Sequence, residues 1–88
     1  MAHSISARKR ARQNIRRRAR NRRRKAKVKD TIRAFDEAIL AGDKKKADEQ
    51  LKLCYKRLDQ IASKGTMHKN TAARKKSRLT MRLAKAFA

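Results

Sequence analysis

Eighty-eight residues run without a proline and with only two glycines, Gly42 and Gly65. Proline and glycine are the strongest local interrupters of regular structure, so this chain is punctuated twice and otherwise left free to be helical. The residues between the breaks favour that outcome, because Ala, Lys, Arg and Leu lose little on entering a helix. Turn and strand signals are scarce. An all-α chain of three segments is the first expectation.

Apolar spacing supports it. Val28, Ile32, Phe35 and Ile39 recur at intervals of 4, 3 and 4, which places them on one helical stripe. The stripe stops at Leu40. Gly42 then suits the left-handed C′ position, and Asp43 is an N-cap type able to accept from the free N–H groups of a following helix. In that helix Ala47, Leu51, Cys54, Leu58 and Ile61 repeat at 4, 3, 4 and 3. Tyr55 and Leu53 lie off the seam, placed to widen the core or to meet a third helix. Gly65 ends the second segment as Gly42 ends the first, and Thr66 is the expected cap of the third. There Ala72, Leu79, Leu83 and Phe87, flanked by Ala73, Thr80, Ala84 and Ala86, make a weaker seam interrupted by Lys76. Three facing stripes specify a three-helix bundle, expected as a single domain over residues 1–88 with the bundle proper in 28–88.

The first helix is longer than its neighbours need. If it runs from about Ser4 to Ala41 it reaches about 57 Å, against about 30 Å for each of the others. Only its C-terminal half has partners, so the N-terminal half protrudes. Counting back about 20 residues from Gly42 reaches the neighbourhood of Arg22. Counting forward by the same length reaches the second turn at 62–65, so the root of the arm should meet Lys64, His68, Lys69, Asn70 and Arg74.

Charge follows this division. The whole chain has 29 Lys plus Arg against 7 Asp plus Glu, a net +22. Residues 1–29 hold 14 basic and no acidic side chains; 30–59 hold all 7 acids balanced by 7 basic residues; 60–88 carry 8 basic residues and again no acid. The hairpin lengths therefore merge two acid-free segments into one cationic surface around a neutral bundle. Without acidic i,i+4 partners the arm repels itself, and partial disorder until a polyanion binds is the expectation.

A polyanion is the partner this pattern calls for. Arg8, Lys9, Arg10, Arg12, Arg16, Arg17, Arg18, Arg20, Arg22, Arg23, Arg24, Lys25 and Lys27 are distributed around the whole helix circumference, which suits a crevice with phosphates on several sides. Guanidinium forks grip phosphate bidentately, which favours arginine in such a run. Asn14, Asn21 and Asn70, with Gln13, are placed either to hydrogen-bond bases and sugars or simply to be solvated. Aromatic stacking platforms are missing from both acid-free segments except at Phe87, which points away from single strands and toward structured nucleic acid.

Other classes fit poorly. A surface-membrane helix needs a face of large apolar residues, and the arm offers only Ile5 and Ile15 among its alanines. No apolar run approaches the about 20 residues of a membrane span, and the N-terminus lacks a secretory h-region, so a cytoplasmic protein is expected. Cys54, His3 and His68 stand at spacings unsuited to zinc, Cys54 reads as a small core residue, and no cofactor is expected. His68 has no carboxylate or nucleophile near it in sequence and is read as a turn or contact residue, so an enzyme with a small-molecule substrate is not expected. A solubilising or nuclear-targeting tail and a transit peptide share the basic composition. A basic leucine zipper would need more than the about two heptads that Gly42 allows. A nonspecific, histone-like DNA-compacting protein would use the same charge.

The run Lys64-Gly65-Thr66-Met67-His68-Lys69-Asn70-Thr71-Ala72-Ala73-Arg74-Lys75-Lys76-Ser77-Arg78-Leu79 resembles the signature of the twentieth protein of the bacterial small ribosomal subunit. Ser6-Ala7-Arg8-Lys9-Arg10, the Gly42-Asp43 hairpin followed by Ala47, and Asp59 with Ala62 extend the resemblance over nearly the whole chain. The chain departs from the family pattern at Met67, where Ile is usual, at Ile61, where a smaller residue is common, and in its Arg-rich 16–24 stretch. None of these removes a basic position of the motif. The resemblance implies a three-helix bundle with a long first helix that binds small-subunit ribosomal RNA directly and early in assembly, near the base of the subunit body, beside other components of that subunit. Carried residue by residue, it places contacts on Arg8, Lys9, Arg10, Asn21 and Arg22. In the second segment it places them on Lys64, Gly65, His68, Lys69, Asn70, Arg74, Lys75, Ser77 and Arg78, with Gly65 letting the backbone turn closely past the RNA.

Overall fold

Helix formers and two glycines produce three helices, Ile5–Leu40 (α1), Lys44–Ser63 (α2) and Lys69–Ala86 (α3), in a computed structural model that describes residues 5–88. The expected start of α1 at Ser4 lies outside the described residues. Each break is closed by the same device. Gly42 and Gly65 take φ of +73° and +74°, a left-handed conformation that only glycine adopts without penalty. The Asp43 N–H then donates to the Ala38 carbonyl at 3.1 Å and the Gly42 N–H to Ile39 at 3.0 Å. Thr66 and Gly65 repeat the pair, donating to Ile61 at 2.9 Å and Ala62 at 3.1 Å. Both are Schellman closures. Asp43 serves twice, since its Oδ1 also accepts from the Lys46 N–H at 3.1 Å and caps α2.

The third cap differs from the sequence expectation. His68, not Thr66, is the N-cap of α3, its Nδ1 accepting from the Asn70 N–H at 3.1 Å. Physically, the chain leaves the Gly65 turn with Met67 packed against the core, and α3 begins only after that residue is seated.

The core is formed where the stripes meet. Val28, Phe35, Ala38, Ala47, Cys54, Leu58, Ile61, Ala72 and Leu79 are buried, with Phe35, Cys54 and Leu58 wholly out of solvent. Ile32, Ile39, Leu51, Leu83 and Phe87 pack around them at the edges. Two buried positions, Thr31 and Ala38, were not on the apolar stripe read from sequence. Thr31 Oγ1 donates to the Lys27 carbonyl at 2.8 Å, which removes most of the cost of burying a hydroxyl.

α2 lies between its neighbours and packs along both. The weak seam of α3 is supplemented by polar contacts: Lys76 Nζ lies 2.8 Å from Asp59 and 5.1 Å from the centre of the Tyr55 ring. The Tyr55 hydroxyl hydrogen-bonds the Thr80 hydroxyl, so this residue reaches the third helix from off the seam. Arg82 Nη1 meets Asp36 at 2.5 Å and ties α3 to α1.

The 36 residues of α1 correspond to about 54 Å, and the molecule extends 61 × 22 × 17 Å. Of residues 5–27 all are exposed except half-buried Ala7, Asn21 and Arg24. The arm is continuous helix, where charge repulsion alone suggests partial unfolding. The packed half of α1 supplies the nucleus, after which each added Ala, Arg or Lys extends the helix at little cost.

Candidate nucleic-acid interface

The arm root and the second turn are joined through one hydroxyl. Thr66 Oγ1 donates to Asn21 Oδ1 at 3.0 Å and accepts from Arg24 Nη1 at 3.2 Å. All three residues are half-buried, so these bonds are partly shielded from competing water. They bring the two acid-free segments together at the place the helix lengths require.

From this joint the basic residues spread in two directions. Along the arm Arg8, Lys9, Arg10, Arg12, Asn14, Arg16, Arg17, Arg18 and Arg20 are exposed, and so are Arg22, Arg23, Lys25 and Lys27 at its root. Beyond the turn Lys64, Gly65, His68, Lys69, Asn70, Arg74, Lys75, Ser77 and Arg78 are exposed as well. On α3 the residues Asn70, Arg74, Ser77 and Arg78 fall, at 100° per residue, within an arc of about 100° opposite the buried Ala72 and Leu79. Asn21 and Arg24 are different in that each also has a partner inside the protein, the Thr66 hydroxyl.

The electrostatics of this surface are uncompensated. Among the described residues the ion pairs engage Lys76 with Asp59 and Arg82 with Asp36, and none of the residues named for the interface takes part. The free N–H groups at the start of α3 add partial positive charge beside Lys64, Lys69 and His68. Because Nδ1 of His68 accepts the capping bond, its Nε2 carries the ring hydrogen and can donate to a phosphate oxygen.

Gly65 shows what its place demands. A Cβ built there meets nothing within 4 Å, so the position is open and the requirement for glycine comes from its φ of +74°. Sequence reasoning missed Thr66 as the joint. The signal lay in the helix lengths, which put a polar residue opposite Asn21 at the point where the segments meet.

Burial, with a further contribution from the Asp36 charge, pushes the Cys54 thiol up to about 11, as befits an inert core residue. Among the described residues no group of three His, Cys, Asp or Glu side chains is placed to hold a metal. Among the described residues no helix is long and apolar enough to cross a membrane.

The family described as ribosomal protein S20 matches residues 2–84. The small ribosomal subunit protein bS20 of Syntrophobacter fumaroxidans is 49% identical over 83 residues, covering 94% of this chain and 96% of the relative. Its counterpart in Helicobacter acinonychis is 48% identical over 85 residues, 97% of this chain and 96% of the relative. That of a Mycobacterium species is 49% identical over 85 residues, 97% and 99% of the two chains.

Proposed function

The chain belongs to the ribosomal protein S20 family, a family of ribosomal proteins and not of enzymes, and from that membership we propose that it binds small-subunit ribosomal RNA directly and stabilises the RNA fold as the subunit assembles. The role is architectural. Residues 1–29 are the RNA-binding arm, and 28–88 form a bundle that holds the second contact segment, 64–78, at a set distance from it. The observation that carries this reading is the Asn21–Thr66–Arg24 joint, which fuses two acid-free segments into one surface without any carboxylate partner.

The mechanism is counterion-driven docking. Each phosphate met by an arginine or lysine releases condensed cations, and an arm charged on all sides can meet phosphates of more than one RNA helix at once. Arg8, Arg12, Arg16 and Arg20 lie four apart and form one such edge, while Arg10, Arg17, Arg18 and Arg22 supply others. The contacts on Lys64, Lys69, Arg74 and Arg78 then fix the register of the bundle against the RNA. The protein would act inside the ribosome, beside other components of the small subunit.

The test compares binding to folded small-subunit rRNA and to random duplex DNA across a salt series. Binding by charge alone weakens steeply by about 200 mM salt, so a retained preference for the rRNA is the expected result. Equal affinities at that salt would refute the reading in favour of a nonspecific DNA-compacting protein.

A further inference from the structure

Arg57 belongs to the charge-neutral stretch, yet the fold places it elsewhere. On α1, Arg24, Lys27 and Val28 share a face at i, i+3 and i+4; on α2, Arg57, Gln60 and Ile61 share one at i, i+3 and i+4, continued by the C-cap residue Lys64. The helices are antiparallel, and these two stripes line one cavity of about 100 Å³. Val28 and Ile61, both buried, contribute apolar wall. Arg24, Lys27, Arg57 and Lys64 contribute four positive charges, and no acid lines the cavity.

Arg57 adds a second observation. Its Nε is buried without an acceptor among the described residues. A buried charged donor left unpaired is costly. Asp30 lines the adjoining groove with Arg57, yet the ion pairs among the described residues do not join them. Four cations converging between low-dielectric walls focus a field that attracts an anion.

We propose that the Arg24–Lys27–Arg57–Lys64 cleft seats one backbone phosphate of the RNA, making α2 a third contact element beside the arm and the 64–78 segment. The inference rests on the RNA-binding reading and deepens it. The phosphate is held from both helices of the hairpin at once, and a small rotation of the Arg57 side chain presents its guanidinium edge to the anion. Because Arg24 also bonds Thr66, the cleft and the joint share a residue, and filling one steadies the other.

The test is binding of folded small-subunit rRNA to the full chain between 50 and 200 mM salt, with Arg57→Gln compared against Lys45→Gln, an exposed charge near the start of α2. Arg57→Gln is expected to bind on the order of tenfold more weakly at low salt. Its log–log salt slope should be shallower by about one, so its affinity falls about threefold less than that of the parent across the series. Lys45→Gln should leave the slope nearly unchanged. Arg57→Lys, which keeps the charge and loses the fork, should keep the slope with reduced affinity, and it serves as the test if the Gln variant fails to fold by circular dichroism. An unchanged affinity and slope in Arg57→Gln, or an equal effect of Lys45→Gln, overturns the proposal while leaving RNA binding intact. If inorganic phosphate shifts the Arg57 Nε–H resonance but the Gln variant binds RNA like the parent, the cleft takes free anions and the proposal also fails. Loss of the rRNA preference in the parent itself would instead refute the functional reading beneath it.

Discussion

Replacing each glycine by alanine separates stability from positioning. Both positions have nearly the same φ, +73° and +74°, and a Cβ at either meets no atom within 4 Å. The penalty is therefore torsional at both sites. An L-residue in the left-handed region costs about 1–2 kcal/mol, while alanine's stiffer unfolded chain returns about 0.4–1 kcal/mol. A net loss near 1 kcal/mol is expected from each, which lowers the unfolding midpoint of a domain this size by about 4–8 °C. Thermal unfolding followed at 222 nm should show Gly42→Ala and Gly65→Ala as near equals. RNA binding should not. The Gly42 turn lies at the neutral end of the hairpin, about 30 Å along α2 from the other, whereas the Gly65 turn carries Thr66 and the start of the 64–78 segment. In rRNA binding at 10 °C, where both variants stay folded, Gly42→Ala should match the parent. Gly65→Ala should lose affinity and show a salt slope shallower by about one for each phosphate contact displaced. If both variants bind RNA alike, the second turn does not position the interface. If neither shifts the midpoint, the left-handed closures are not what ends the helices.

Thr66→Val keeps the shape of the side chain but strips the joint of its hydroxyl, leaving Asn21 and Arg24 unpartnered; a loss of about 1 kcal/mol in urea unfolding, with weaker rRNA binding, is expected, and an unaltered affinity would count against the joint. For Cys54 the folded thiol titrates at about 11 against 9.0 for an open one. The stability this contributes is complete below pH 9 and is lost as the pH rises toward 11, because the unfolded thiol ionises first. The parent should therefore lose stability more steeply over that window than Cys54→Ala, and at pH 8 a disulfide reagent should modify Cys54 only on unfolding. Removing residues 1–20 takes away a stretch whose described part, 5–20, has almost no burial; the unfolding midpoint should hold while the salt slope of RNA binding falls by several units, and a lowered midpoint would show that the arm contributes to the bundle.

What could be read from sequence was set by local rules. A helix stop needs little more than a glycine beside a broken apolar stripe, and Gly42 and Gly65 stand where the stripes of Val28–Ile39 and Ala47–Ile61 end. Length did the rest, since an antiparallel hairpin of known rise places the root near Arg22 against the second turn whatever the side chains are. The cap of α3 was harder. Thr66 is the better capping residue by preference, but Met67 has to reach the core first, and that tertiary pull moves the helix start to His68 and releases the Thr66 hydroxyl to bind Asn21 and Arg24. Thr31 was hidden for a related reason: its burial depends on a bond to the Lys27 carbonyl that no hydropathy pattern registers.

Summing charge along the chain and summing it in space answer different questions. Along the chain 30–59 is neutral, and Arg57 is offset by acids such as Asp59. In space two of the seven acids are committed elsewhere, Asp59 to Lys76 and Asp36 to Arg82, both pairs serving to hold α3. These two carboxylates thus do structural work on the α3 side, while Arg57 lies on another flank of α2, facing Arg24 and Lys27. A segment of zero net charge therefore adds a positive charge to the cleft between the arm root and the second turn. Neutrality of a helix by count says nothing about the sign of any one face, because helical geometry sorts charges every 100° and the ion pairs that fasten a third helix withdraw Asp36 and Asp59 from the rest.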